Sequence, residues 1–150
     1  MSAPETALHL APGADLAGLE ELARDEEVAR VVAAAWAHAD GPLPARVEVA
    51  LTGEEEHCRL HARFLDDPTP TDVMAFPYED DDAFGEVVVN VDMARREGAE
   101  RGHGARVECT LYLVHGCLHL LGYDDQDDAQ RARMRDAESS VMRALGFADA

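Results

Sequence analysis

Two histidines four residues apart inside an apolar run constrain this chain more than any other feature. From Cys109 to Leu121 it reads CTLYLVHGCLHLL, and a helix drawn through that stretch is apolar on nearly every side, so other elements must cover it. His115 and His119 then project from one face, one turn apart. Imidazoles in such surroundings need polar partners, because burying polar groups without them is costly. Gly122 follows, where a residue without a Cβ can end the helix in a left-handed turn and return the chain across the histidine face. Asp124 and Asp125 arrive on that return. Two packed, hydrogen-bonded core histidines would show the same spacing. Two ring nitrogens with a returning carboxylate, however, also form a donor set for one divalent ion, with an open coordination position that marks a catalytic site. His115, His119 and Asp125 are the predicted ligands, with Asp124 the alternative for the third.

The stretch VHGCLHLLGYDD resembles the signature of the YbeY family, bacterial metal-dependent endoribonucleases implicated in ribosomal RNA maturation, whose pattern is HGxLHLxGYDH. Asp125 stands where the family has its third histidine. Aspartate is an accepted zinc ligand, but its negative charge makes the ion a weaker Lewis acid. Two more stretches carry the resemblance, which covers Arg46 to Gly146. PTDVMAFP at Pro70–Pro77 is similar to PTDVLSFP, and GEVVVNV from Gly85 is similar to GDIxIxxxxA with Glu86 in place of aspartate. Counting back from Pro70, the family pattern YRxxDxPT has an arginine where this chain has Leu65 and an aspartate where it has Pro68; Arg63 is a substitute for that arginine.

The resemblance implies a metal-dependent, single-strand endoribonuclease that uses one zinc ion and acts near the 3′ end of small-subunit ribosomal RNA and in ribosome quality control. It implies the small ribosomal subunit as partner, and an α+β fold in one compact domain over 1–150. No catalytic side chain is identified beyond the ion and its bound water. In zincin proteases the residue after the first histidine is a glutamate that acts as base; here it is Gly116. A metalloprotease or other hydrolase is one alternative, needing a base from elsewhere such as Glu86 or Asp72. A weakly catalytic ribosome-assembly factor, binding a basic ribosomal protein through its carboxylates, is another.

Charge bears on the partner. The chain has 31 carboxylates against 13 cationic side chains, all arginine, for a formal net charge of −18. Tight non-specific RNA binding is thereby disfavoured, while a local arginine patch beside a metal ion is not. Arg59 and Arg63, one helical turn apart, are the predicted phosphate contacts. The 150 residues suit a single core. The N-terminus lacks a basic segment followed by an apolar stretch, so no signal peptide and a cytoplasmic location are expected. Cys58, Cys109 and Cys117 lack paired spacing and are expected as free thiols.

Periodicity predicts the order β-α-β-α-β-β-α-α-α, a small mixed sheet packed by helices with the histidine helix buried at its centre. The expected elements are a strand at Leu8–Pro12, a helix from Asp15 to about Asp40 capped by Asp15, and a strand at Arg46–Leu51. A capping box of Thr52 and Glu55 would then open a helix to Phe64 with Cys58, Leu60, His61 and Phe64 on its packed side. A strand follows at Thr71–Tyr78, an acidic loop at Glu79–Asp82 and a strand at Gly85–Val91. Asp92 should cap a short helix, with His103 exposed on a loop. Asp127 or Asp128 should cap the last helix, which buries Met134, Ala137, Val141 and Leu145 and stops at Gly146.

Overall fold

The computed structural model describes residues 4–38, 46–77 and 85–147. Alternation in strand β2 (Arg46–Thr52) buries Val47, Val49 and Leu51 on one face. Strand β1 (Glu5–Leu10) lies parallel to it on one side and β4 (Gly85–Asn90) parallel on the other, while β3 (Val73–Pro77) closes the far edge antiparallel to β4. The order is β1-β2-β4-β3. Because β4 is interior and covered on both faces, Val87, Val88 and Val89 are all buried.

Pairing of Val49 with Val87 and of Leu51 with Val89 puts these four on one face. Helices α1 (Asp25–Trp36) and α4 (Gly104–Leu120) cover it and touch each other. Helix α4 lies so close that a Cβ on Gly116 would stand 2.5 Å from Val87 Cγ1 and 3.0 Å from Val73 Cγ2. The opposite face, which carries Glu86, Val88 and Asn90, meets α2 (Glu54–Leu65): Thr52 Oγ1 bonds His57 Nδ1 at 3.1 Å, and the Phe64 ring packs 5.6 Å from that of Phe76. Helix α3 (Val91–Arg101) runs against α4, and α5 (Asp128–Ala144) lays Met134, Ala137, Val141 and the following Leu145 on the outside of the same core.

The predicted element order is the observed one, and the α+β assignment with a mixed sheet and a central histidine helix holds. Several local expectations are corrected. The strand expected at Leu8–Pro12 is β1 at Glu5–Leu10. The first helix is shorter than expected and forms only from Asp25 to Trp36: residues 17–24 are mainly turns and bends, Gly18 is left-handed at φ +81°, and Asp15 Oδ1 accepts from Ala17 N instead of capping a helix. Leu19 and Leu22 are nevertheless fully buried, so the apolar spacing reports burial through a turn-rich segment rather than helix. The far end of that expected helix, like Tyr78 and the acidic loop at Glu79–Asp82, lies outside the described residues.

The Thr52–Glu55 capping box is also absent. Gly53 is the N-cap of α2, Glu54 N donates to Asp92 Oδ2 at 2.8 Å, and Thr52 instead donates to Val89 O. The helix turns His57 and His61 inward and leaves Phe64 and Leu65 exposed. Asn90, not Asp92, caps α3 by accepting from Met93 N, and α3 reaches Arg101. His103 is only partly exposed: its ring turns in to bond the fully buried Glu108. The C-terminal expectations hold, with Asp127 accepting from Gln130 N and Gly146 left-handed at φ +93°. All three cysteines are free, and burial pushes the Cys109 thiol up to about 12 and raises Cys117 as well.

Candidate metal centre

Helix α4 ends as its glycine requires. Gly122 adopts φ +99°, and Gly122 N and Tyr123 N close the turn onto His119 O and Leu118 O, both at 3.0 Å. The chain then doubles back and brings Asp125 over the histidine face. His115 Nε2 and His119 Nε2 face each other at 3.1 Å, and Asp125 Oδ2 lies 3.9 Å from the first and 3.8 Å from the second. Ligands about 2.0–2.2 Å from a tetrahedral ion are separated by about 3.4 Å. The two ring nitrogens and the carboxylate oxygen are thus near coordination spacing, and among the described residues these three side chains form the group able to hold an ion. Asp124 is used locally, its Oδ1 accepting from Asp125 N at 2.8 Å.

A fourth side chain sets the chemistry of the first ligand. Glu138, on α5, places Oε2 2.8 Å from His115 Nδ1. With the proton held at Nδ1 by that carboxylate, the lone pair of Nε2 points at the site, which is the tautomer a metal ligand needs. Burial by itself would lower the pKa of His115. The hydrogen bond and charge of Glu138, joined by Asp72 and Asp125, outweigh it and raise the value. Sequence reading missed Glu138. Its one signal was position, a carboxylate next to Ala137 and one turn beyond Met134, on the stripe of the last helix that faces the core.

Gly116 explains why no base follows the first histidine. The Cβ clash with Val87 and Val73 leaves no room for a side chain there. Of the bases considered from elsewhere, Glu86 lies on the sheet face opposite α4. Asp72 lines the cleft beside His115, where its Oδ1 accepts from Val73 N at 2.7 Å.

The histidine pair stands between two unlike depressions. On the His115 side is a cleft of about 450 Å³ walled by Arg101, His103, Tyr112, Arg135 and Ser139. On the His119 side, a groove of about 380 Å³ runs along the free edge of β3, lined by Leu65, Val73, Met74, Leu120 and His61. His61 Nδ1 bonds Thr69 O at 2.7 Å. Neither predicted phosphate contact lines either depression. Arg59 is paired with Glu55 and Glu56 on the outer side of α2, and Arg63 lies over the Phe64 ring.

The family model described as Endoribonuclease YbeY matches residues 17–146. The chain is 36% identical over 116 residues to the endoribonuclease YbeY of Heliobacterium modesticaldum, covering 67% of this chain and 70% of that one. It is 34% identical over 137 residues to that of Chloroflexus aurantiacus, covering 83% and 89%. The solution structure of TM1509 from Thermotoga maritima shares the fold, with a TM-score of 0.59 and 22% identity over 93% of this chain and 92% of that chain.

Proposed function

The chain belongs to the YbeY endoribonuclease family, and from that premise we propose that it is a metal-dependent endoribonuclease that cuts single-stranded RNA during maturation of ribosomal RNA. The observation that carries this reading is the convergence of His115 Nε2, His119 Nε2 and Asp125 Oδ2, backed by Glu138. Zinc is the proposed ion, since two imidazoles and a carboxylate are borderline donors in a set that leaves a position open. When bound there, the ion would polarise a phosphoryl oxygen and lower the pKa of water.

The protein's own groups do the rest. His115 and His119 fix two directions of approach because both rings ride on one packed helix, and Glu138 holds the proton of His115 away from the site. Asp125, half exposed, closes the set from the return loop and can shift the few tenths of an ångström that coordination asks of it. Asp72 is the carboxylate beside His115 available to orient a water or a substrate hydroxyl. The proposed setting is the cytoplasm, the small ribosomal subunit and the 3′ end of its RNA; among the described residues no helix is long and apolar enough to cross a membrane. A docking partner with a basic surface suits the net charge of −18.

The test is direct. Protein loaded with one equivalent of zinc should cut a single-stranded RNA, and chelation or His119→Ala should abolish the cutting. Full activity in a His115→Ala/His119→Ala variant would overturn the metal-centred reading, and metal-dependent cleavage of casein with intact RNA would favour the peptidase.

A further inference from the structure

The cleft on the His115 side contains cationic groups that holding an ion does not use. Arg101, at the end of α3, and His103 both bond Glu108, whose carboxylate is fully buried. That anchors Arg101 to one wall while about half of its side chain, 52%, remains exposed. Arg135 enters from α5 on the other wall, on the same side of that helix as Glu138 and Ser139. Many arginines of this acidic chain pair with a carboxylate, Arg30, Arg59, Arg95, Arg96 and Arg106 among them, as does Arg101 itself. Among the described residues Arg135 pairs with none. Two carboxylates also line the cleft: Glu138 is hydrogen-bonded to His115, and Asp72 accepts from Val73 N through Oδ1 and keeps its other oxygen for the water or substrate hydroxyl assigned to it above. The His119 side offers no such cation, its wall being largely apolar around His61 and His119.

We propose that this cleft is the subsite for the RNA backbone next to the scissile bond, with Arg135 as its phosphate contact and the Glu108-anchored Arg101 as the facing wall. The inference rests on the endoribonuclease reading and adds a direction to it. Phosphates lie on the His115 side, and the strand leaves past His119 along the apolar edge of β3. A guanidinium on a rigid helix is suited to bidentate phosphate contact. The volume is that of a pocket able to take a nucleotide-sized group.

Affinity of the zinc-loaded full chain for a short fluorescent single-stranded RNA, measured across a salt series, tests this. Arg135→Gln should weaken binding about tenfold and lower the slope of log K against log salt by about 0.7, the value for one single-strand phosphate contact. Bound zinc should be unchanged, Arg135→Lys should restore the slope, and Arg143→Gln, on the same helix but outside the cleft, should alter neither. Equal affinity and slope in wild type and Arg135→Gln, with wild type still binding and cutting RNA, would overturn the subsite alone. A zinc-loaded wild type that neither binds nor cuts RNA would overturn the endoribonuclease reading and the subsite with it.

Discussion

The Nδ1 atom of His115 is committed to Glu138 at 2.8 Å before any ion arrives. Partners of this kind typically contribute a factor of about 10–100 to metal affinity by fixing ring orientation and tautomer. Glu138→Ala should therefore weaken zinc binding by about that factor in a chelator competition while leaving the far-ultraviolet circular dichroism unchanged. Asp125 makes the opposite case, since its Oδ2 lies 3.8 and 3.9 Å from the two rings and about half of its side chain is exposed. Asp125→Asn should lower zinc affinity strongly by removing the anionic donor, and Asp125→His should retain or raise it. Unchanged metal content in Asp125→Asn would point instead to Asp124 or to a site with only two protein ligands.

At the level of elements, α4 is positioned by what it lacks. Gly116 lets the helix lie on β3 and β4, and a methyl there would stand 2.5 Å from Val87 Cγ1. Gly116→Ala should destabilise the fold by about 1–3 kcal/mol through overpacking, which corresponds to roughly 2–4 °C of Tm per kcal/mol for a chain of this size. It should also loosen the metal site, because lifting α4 off the sheet moves both rings relative to Asp125; calorimetry and zinc titration of the same variant check both. Periodicity found α4, α5 and β4 because their signals were long and uninterrupted. It misread 15–24 because buried Leu19 and Leu22 keep helical spacing across turns that Gly18 breaks. The capping box failed for a different reason: Thr52 faces α2 from the sheet and bonds His57 and Val89, a choice made by strand pairing.

Over the whole molecule, charge and burial act together. With a net charge of −18, self-repulsion should weaken the fold at low ionic strength, so raising salt should raise Tm of the metal-free protein. Acid should expose a second vulnerability. Burial, aided by the neighbouring charge of His61 and opposed by Asp72 and Glu54, lowers His57 from 6.5 to about 4. The unfolded chain takes up this proton near pH 6.5 and the folded chain only near pH 4, so stability present above pH 6.5 is lost as pH falls through that window. Relative to His57→Asn, which keeps a donor toward Thr52 but does not titrate, the wild type should lose on the order of 2 kcal/mol between pH 7 and 4.5 in denaturant titrations.

By itself the sequence determined the element order, the α+β class, the histidine helix with its glycine stop, and the candidate ligands His115, His119 and Asp125, because these depend on spacings of a few residues that local geometry converts directly into direction. Only the tertiary structure decided that Glu138 lies behind His115, that His103 and Arg101 turn in to a buried Glu108, and that Arg135 rather than Arg59 or Arg63 borders the metal centre. Those residues come from α3, the turn after it, α4 and α5. Their meeting depends on how closely the helices pack, set where Gly98 lies against the Gly104 carbonyl and Gly116 against Val87, and no period along the chain encodes that distance.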